Sequence, residues 1–213
     1  MAIRISGVQG CVFDAYGTLF DFASAAAQCK DDLGDQVAAL TGLWRDKQLQ
    51  YTWLRGLQGR HADFWQVTGE ALDYAMETLR ISDAGLRSRL MELYLTLEPF
   101  PEVRKTLRAL KDAGQATAIL SNGTPKMLSA AVESAGLDGL IDMIISVEEV
   151  GVYKPHPKVY QRAADRLGLT ADRICFQSSN AWTPMPPRPS ACGLSGAIGM
   201  DSARNACPAD PTR

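Results

Sequence analysis

Four short apolar runs punctuate the chain, at residues 8–13, 116–121, 142–147 and 173–178. Runs of this length between turn residues read as strands buried on both faces of a parallel sheet. Between the last three, the period turns helical. Residues 124–135 open with Thr124-Pro125 and close at Gly136, and residues 157–167 open at Pro157 and close at Gly168. Proline in the first turn and glycine just past the last mark the two ends of a helix. Strands alternating with helices predict an α/β fold, a doubly wound, Rossmann-like parallel sheet.

Residues 22–98 break that rhythm. No strand pattern is visible there, while Leu40, Leu43, Trp44, Lys47 and Tyr51 fall at helical spacing. Phe64, Val67, Leu72, Tyr74, Met76 and Leu79 do so more loosely. The pattern predicts a helical cap over 22–98, inserted after the first strand and lying over the strand ends. Residues 1–21 and 99–182 then form the core, with Pro99 and Pro101 marking the return. From 183 to 213 the chain holds six of its eleven prolines and no aromatic residue, and no further strand is legible. That composition reads as an irregular tail.

Composition narrows the class. With 213 residues, 46% of them hydrophobic and 22% charged, the chain can bury an ordinary core. A formal net charge of −2 and no basic block leave no electrostatic footprint for nucleic acid. No stretch approaches a membrane span, and Met1 to Ser6 lack a signal-peptide apolar region. The five cysteines show no paired spacing, so Cys11 and Cys175 read as small buried hydrophobes and the expected compartment is a reducing cytoplasm. Two histidines and no cysteine pair argue against a zinc site, and no cofactor is expected.

The candidate chemistry lies at the strand ends, where open α/β sheets bind their ligands. Asp14 ends the first run, with Thr18 one turn on. Ser121-Asn122-Gly123 ends the second, Lys154-Pro155 sits in a loop, and Ser178-Ser179-Asn180 follows the fourth. Taken singly, each has an ordinary explanation: a strand-end Asp caps turns, Ser-Asn-Gly is a common turn and Lys-Pro a common loop dipeptide. Together on one sheet edge they are far more specific. A nucleophilic carboxylate wants a cation beside it, which Lys154 can supply. Ser121, Asn122 and amides near a helix N-terminus can hold an anionic group.

These residues resemble the haloacid dehalogenase superfamily over residues 8–182, and within it the L-2-haloacid dehalogenases. The resemblance rests on Phe13-Asp14-Ala15-Tyr16-Gly17-Thr18-Leu19, Leu43-Trp44-Arg45-Asp46-Lys47-Gln48-Leu49, Ile119-Leu120-Ser121-Asn122-Gly123, Tyr153-Lys154-Pro155 and Ser178-Ser179-Asn180-Ala181-Trp182. It implies hydrolysis of short L-2-haloacids to D-2-hydroxyacids through an aspartyl ester on Asp14, without a metal. Lys154, Ser178, Asn180 and Thr18 would serve the chemistry. Ser121, Asn122 and the Tyr16 backbone would hold the substrate carboxylate. Arg45 and Asn122, with Leu49 and Phe64, would surround the halogen, while Tyr160 and Trp182 shape the pocket. Superfamily phosphatases carry a proton-donating Asp two residues after the nucleophile, where this chain has Tyr16. A departing halide needs no proton, so that loss suits dehalogenation. A phosphatase or phosphonatase, and a non-catalytic remnant that binds small carboxylates, stand as the alternatives. Family members are commonly dimers, which makes a homodimer a further expectation.

The resemblance stops after Trp182. The family has an Asp next, paired with the lysine and directing the hydrolytic water; here Thr183 stands there. Back-translation with one G restored after the Trp182 codon turns this position into Asp. It also permits a later Gly-Met-Arg-Val-Val-Trp-Cys run, which reads as the missing strand. The tail is therefore expected to be the product of a frameshift, and the activity of the chain as written to be impaired.

Overall fold

The structure is a computed structural model and describes residues 7–180. The tail at 183–213 and Trp182 lie outside that range. The four apolar runs form strands β1 (Gly10–Phe13), β2 (Ala116–Ser121), β3 (Met143–Ser146) and β4 (Ile174–Gln177). They make one all-parallel sheet in the order β3-β2-β1-β4. β1 is fully buried, as a central strand covered on both faces must be. Cys11 lies between Thr117 of β2 and Cys175 of β4. Burial pushes its thiol up to about 11, so it packs as a small hydrophobe.

Six helices lie between β1 and β2: α1 (Ser24–Gln28), α2 (Lys30–Leu33), α3 (Val37–Gln58), α4 (Phe64–Thr78), α5 (Ala84–Leu93) and α6 (Val103–Asp112). α7 (Pro125–Ser134) joins β2 to β3, and α8 (Pro157–Leu167) joins β3 to β4. The helix signals act as their chemistry requires. Thr124 accepts a hydrogen bond from the Met127 amide, and Pro125 occupies the first turn. Gly168 closes α8 in the left-handed region at φ 63°, where a side chain would be strained. Asp63 and Asp83 cap α4 and α5 by accepting from the Gln66 and Leu86 amides. The chain moves outward from β1 to β3 and then crosses back to β4. Right-handed crossovers therefore put α8 on the face opposite α6 and α7.

α3 packs chiefly on α4. The buried stripe of α3 is Leu40, Trp44, Gln48 and Thr52, one residue per turn. This corrects the expected apolar face: Leu43, Lys47 and Tyr51 are only half-buried, and two polar side chains hold the inner positions instead. Tyr74 of α4 likewise lies outward, where the Lys47 ammonium sits 4.3 Å from its ring centre. A cation with a long apolar stem is well suited to that boundary position.

Candidate active site

β1 ends at Phe13, and the next residue, Asp14, emerges at the carboxyl edge of the sheet with its amide still bonded to the Gln177 carbonyl at 2.9 Å. Its carboxylate is almost wholly buried and receives four donors. Oδ1 accepts from the Ala15 amide at 2.8 Å and from Lys154 Nζ at 2.6 Å. Oδ2 accepts from Ser178 Oγ and Asn180 Nδ2, both at 3.1 Å. Segments about 140 and 164 residues away along the chain thus close on one carboxyl group.

Lys154 is 2% exposed and its ammonium also donates to the Leu120 carbonyl at 3.1 Å. Burial pulls this group below the ordinary lysine value of 10.5, against the opposing attraction of Asp14. Its backbone is held too, since the Lys154 amide donates to Asn122 Oδ1 at 3.0 Å. Asn122 therefore ties the β2 end to the lysine loop. Ser121 Oγ accepts from the Gly123 amide at 3.1 Å, shaping the turn that leads into α7. Thr18 Oγ1 accepts from the Ser179 amide at 2.9 Å and meets Ser179 Oγ at 3.3 Å. It anchors the loop that carries Ser178 and Asn180.

The helical segment supplies the opposite wall. Arg45 on α3 donates to the Tyr16 carbonyl at 3.2 Å and stands 5.0 Å from the Phe22 ring centre. Phe64, the first residue of α4, stacks on Tyr16 at 5.7 Å between ring centres. Tyr94 flanks Tyr16 from another side at 5.2 Å. The Tyr16 hydroxyl is buried without a hydrogen-bond partner among the described residues, and burial raises it well above the ordinary value of 10.0. Tyr160 on α8 is half-buried, its hydroxyl enclosed without a hydrogen-bond partner among the described residues, and its ring stands edge-on to Phe176 at 5.7 Å. Leu49 is half-buried on α3, one turn beyond Arg45. Trp182 falls outside the described residues. Among these, no three His, Cys, Asp or Glu side chains cluster to hold a metal. Lys154 supplies a positive charge on the Oδ1 side of Asp14.

Three buried residues at the site were not singled out by the sequence: Gln48, Thr68 and Tyr94. Gln48 carries a usable signal, because a polar residue one turn from Trp44 on a helix predicted to bury that face needs a partner. Thr68 and Tyr94 carry none.

The model of the haloacid dehalogenase-like hydrolases matches residues 8–182. An (S)-2-haloacid dehalogenase of Burkholderia cepacia is 46% identical over 179 residues, 84% of this chain and 78% of that protein. One from Pseudomonas sp. (strain CBS-3) is 45% identical over 198 residues, 92% and 84% of the two. Among solved structures, the L-2-haloacid dehalogenase of Xanthobacter autotrophicus with chloropropionic acid covalently bound superposes with a TM-score of 0.77 at 42% identity, covering 83% of this chain and 71% of that one. With its buried strand-end carboxylate, its parallel sheet and these relatives, the chain belongs to the haloacid dehalogenase-like hydrolase family.

Proposed function

We propose that the chain catalyses hydrolytic dehalogenation of short L-2-haloacids, giving D-2-hydroxyacids. The observation that carries this reading is the Asp14 carboxylate, ionically paired with buried Lys154 at 2.6 Å and held by three further donors at the end of β1. An Asp14 oxygen attacks C2 from the side opposite the halogen. The carbon–oxygen bond forms as the carbon–halogen bond breaks, halide leaves with the bonding pair, and C2 inverts. Water then adds to the ester carbonyl of Asp14. The hydroxyacid departs with its C2–O bond intact, and one proton is released overall.

Roles follow from the chemistry of each contact. Lys154 keeps the carboxylate charged, and Ser178 and Asn180 fix its plane. Ser121, Asn122 and the Tyr16 backbone border the place for the substrate carboxylate. Arg45, whose planar fork carries five N–H groups, offers a permanent positive charge to the departing halide, with Leu49, Phe64 and Asn122 around it. Thr18 positions the Ser178–Asn180 loop. Tyr160 shapes the pocket wall, and the resemblance gives the same role to Trp182, which lies outside the described residues. A phosphatase would need an acid at position 16. The Tyr16 phenol, raised by burial, is a poor proton donor to a leaving alkoxide.

Thr183 in place of a water-directing carboxylate supports impaired hydrolysis of the ester, with a frameshift after Trp182 as the origin of the tail. Exposed Trp53, Leu54 and Leu57 on α3 support a homodimer. No helix among the described residues is long and apolar enough to cross a membrane, which is compatible with a cytoplasmic enzyme. The direct test is halide release from L-2-chloropropionate, with D-lactate as the organic product. Release from phosphate esters, dependent on Mg²⁺, would replace this reading with the phosphatase one. Binding of small carboxylates without any halide release would leave a remnant.

A further inference from the structure

We infer that Gln48 is a positioning residue for dehalogenation. It orients the Arg45 guanidinium while leaving that residue's positive charge uncancelled. The inference rests on the proposed role of Arg45 at the leaving halide.

Gln48 is 1% exposed on the inner stripe of α3. Its Oε1 accepts from Arg45 Nη1 at 2.7 Å, and its Nε2 donates to Thr68 Oγ1 at 2.7 Å. The Tyr94 hydroxyl lies within reach of both ends of the amide, 3.1 Å from Nε2 and 3.2 Å from Oε1. The orientation of the amide is not arbitrary. Thr68 Oγ1 gives its proton to the Phe64 carbonyl at 2.6 Å, so toward Gln48 it can only accept. The NH₂ must therefore face Thr68 and the oxygen must face Arg45. The Phe64 carbonyl that fixes Thr68 belongs to the first turn of α4, and Trp44 Nε1 donates to the Thr68 carbonyl at 2.9 Å, locking α3 against α4. A relay thus runs from the α4 backbone through Thr68 and Gln48 to Arg45. Arg45 also donates to the Tyr16 carbonyl, so both arms of its fork are set by neighbours.

A neutral amide suits this place better than a carboxylate. Glu would accept from Arg45 equally well, but its charge would pair with the guanidinium and weaken the field offered to halide. It would also turn an acceptor toward Thr68, which has no proton left to give. Gln supplies direction without neutralisation.

The test is single-turnover halide release by the full chain with L-2-chloropropionate and L-2-bromopropionate. One halide is released as the Asp14 ester forms, so hydrolysis is not required. Gln48→Met loses a hydrogen bond to a charged group, about a ten- to hundredfold effect, and is expected to slow chloride release by about that factor, while Gln48→Glu keeps the bond but pairs the guanidinium charge and is expected to slow chloride release through that pairing. Bromide, the better leaving group, depends less on Arg45, so the bromide-to-chloride rate ratio should rise in both variants. A general loss of structure slows both substrates alike. Tyr94→Phe, which keeps the ring contacts with Tyr16 and Trp44, should raise the ratio less, and it decides the matter if the Gln48 variants do not fold. An unchanged ratio in folded Gln48→Glu, or in Tyr94→Phe should it be the deciding variant, overturns the positioning role. No halide from the unmodified chain with either substrate overturns the dehalogenase reading, and this inference with it.

Discussion

Asp14 and Lys154 form a buried ion pair at 2.6 Å, and the consequences of breaking it depend on pH. Asp14→Asn removes the proposed nucleophile, and halide release should vanish. It also strips a buried ammonium of its counter-ion, which costs about 3–5 kcal/mol where no other partner compensates. The lysine is already below 10.5 in the folded protein and would fall further without Asp14. Between that lowered value and 10.5 the unfolded chain binds more protons than the folded one, so stability rises with pH across the window. The melting-temperature deficit of Asp14→Asn should therefore narrow from pH 7 toward pH 10, and a deficit that stays constant would contradict it. In the unmodified chain the same depression places the alkaline fall of single-turnover halide release below 10.5. A pH profile flat through that value would remove Lys154 from the chemistry. Arg45→Lys should slow halide release by about tenfold or more, because a flexible point charge cannot reproduce the fork that Gln48 and Tyr16 hold. Retained rates would contradict that role.

At the scale of the elements, the β2–α7 turn leaves no room for a side chain at Gly123. A Cβ on Gly123 would lie 2.8 Å from the Tyr16 hydroxyl, 2.9 Å from its ring and 3.0 Å from Leu128. Tyr16 cannot yield easily, being wedged between Phe64 and Tyr94. Gly123→Ala should cost about 1–3 kcal/mol by overpacking. It should also disturb the hydroxyl–amide bond of Ser121 beside the proposed carboxylate site. Thermal unfolding measures the first effect and the KM for haloacid the second. A variant as stable as the parent would mean that the Tyr16 ring is free to move.

In the whole molecule the helical segment meets the sheet edge next to Asp14, where Arg45 and Phe64 contact Tyr16. Tyr153 bonds the Ala62 carbonyl and His61 meets Glu148 at 2.9 Å, so the α3–α4 loop is latched beside the lysine loop. β4 pairs with β1 on one side only among the described residues. An unpaired strand edge favours association. Restoring the reading frame after Trp182 is therefore expected to raise steady-state turnover well above that of the chain as written, and to raise the melting temperature. Thr183→Asp alone should leave turnover low, because it does not restore the apolar run that the corrected frame would encode further on. Equal turnover in the frame-restored and unmodified proteins would refute the account of the tail.

The strands and the two core helices were legible because their signals are local. A buried parallel strand needs an unbroken apolar run, and a helix end needs a capping hydroxyl, a proline or a glycine within a few residues. The shared placement of Asp14, Ser121, Ser178 and Asn180 was legible for a related reason: the strand ends that carry them share one sheet edge once the topology is granted, and Lys154 reaches that edge from a loop. The inner face of α3 was not. Periodicity ranks positions by hydrophobicity, so it favoured Leu43 and Tyr51 over Gln48 and Thr52. Yet a buried amide is tolerated wherever partners satisfy it, and those partners, Thr68 and Tyr94, come from distant segments. The strand order β3-β2-β1-β4 and the relay from Thr68 through Gln48 to Arg45 depend on contacts 20 to 46 residues or more apart in the chain. Such contacts leave no periodic trace, and only the packing of α3 on α4 over the sheet edge brings them together.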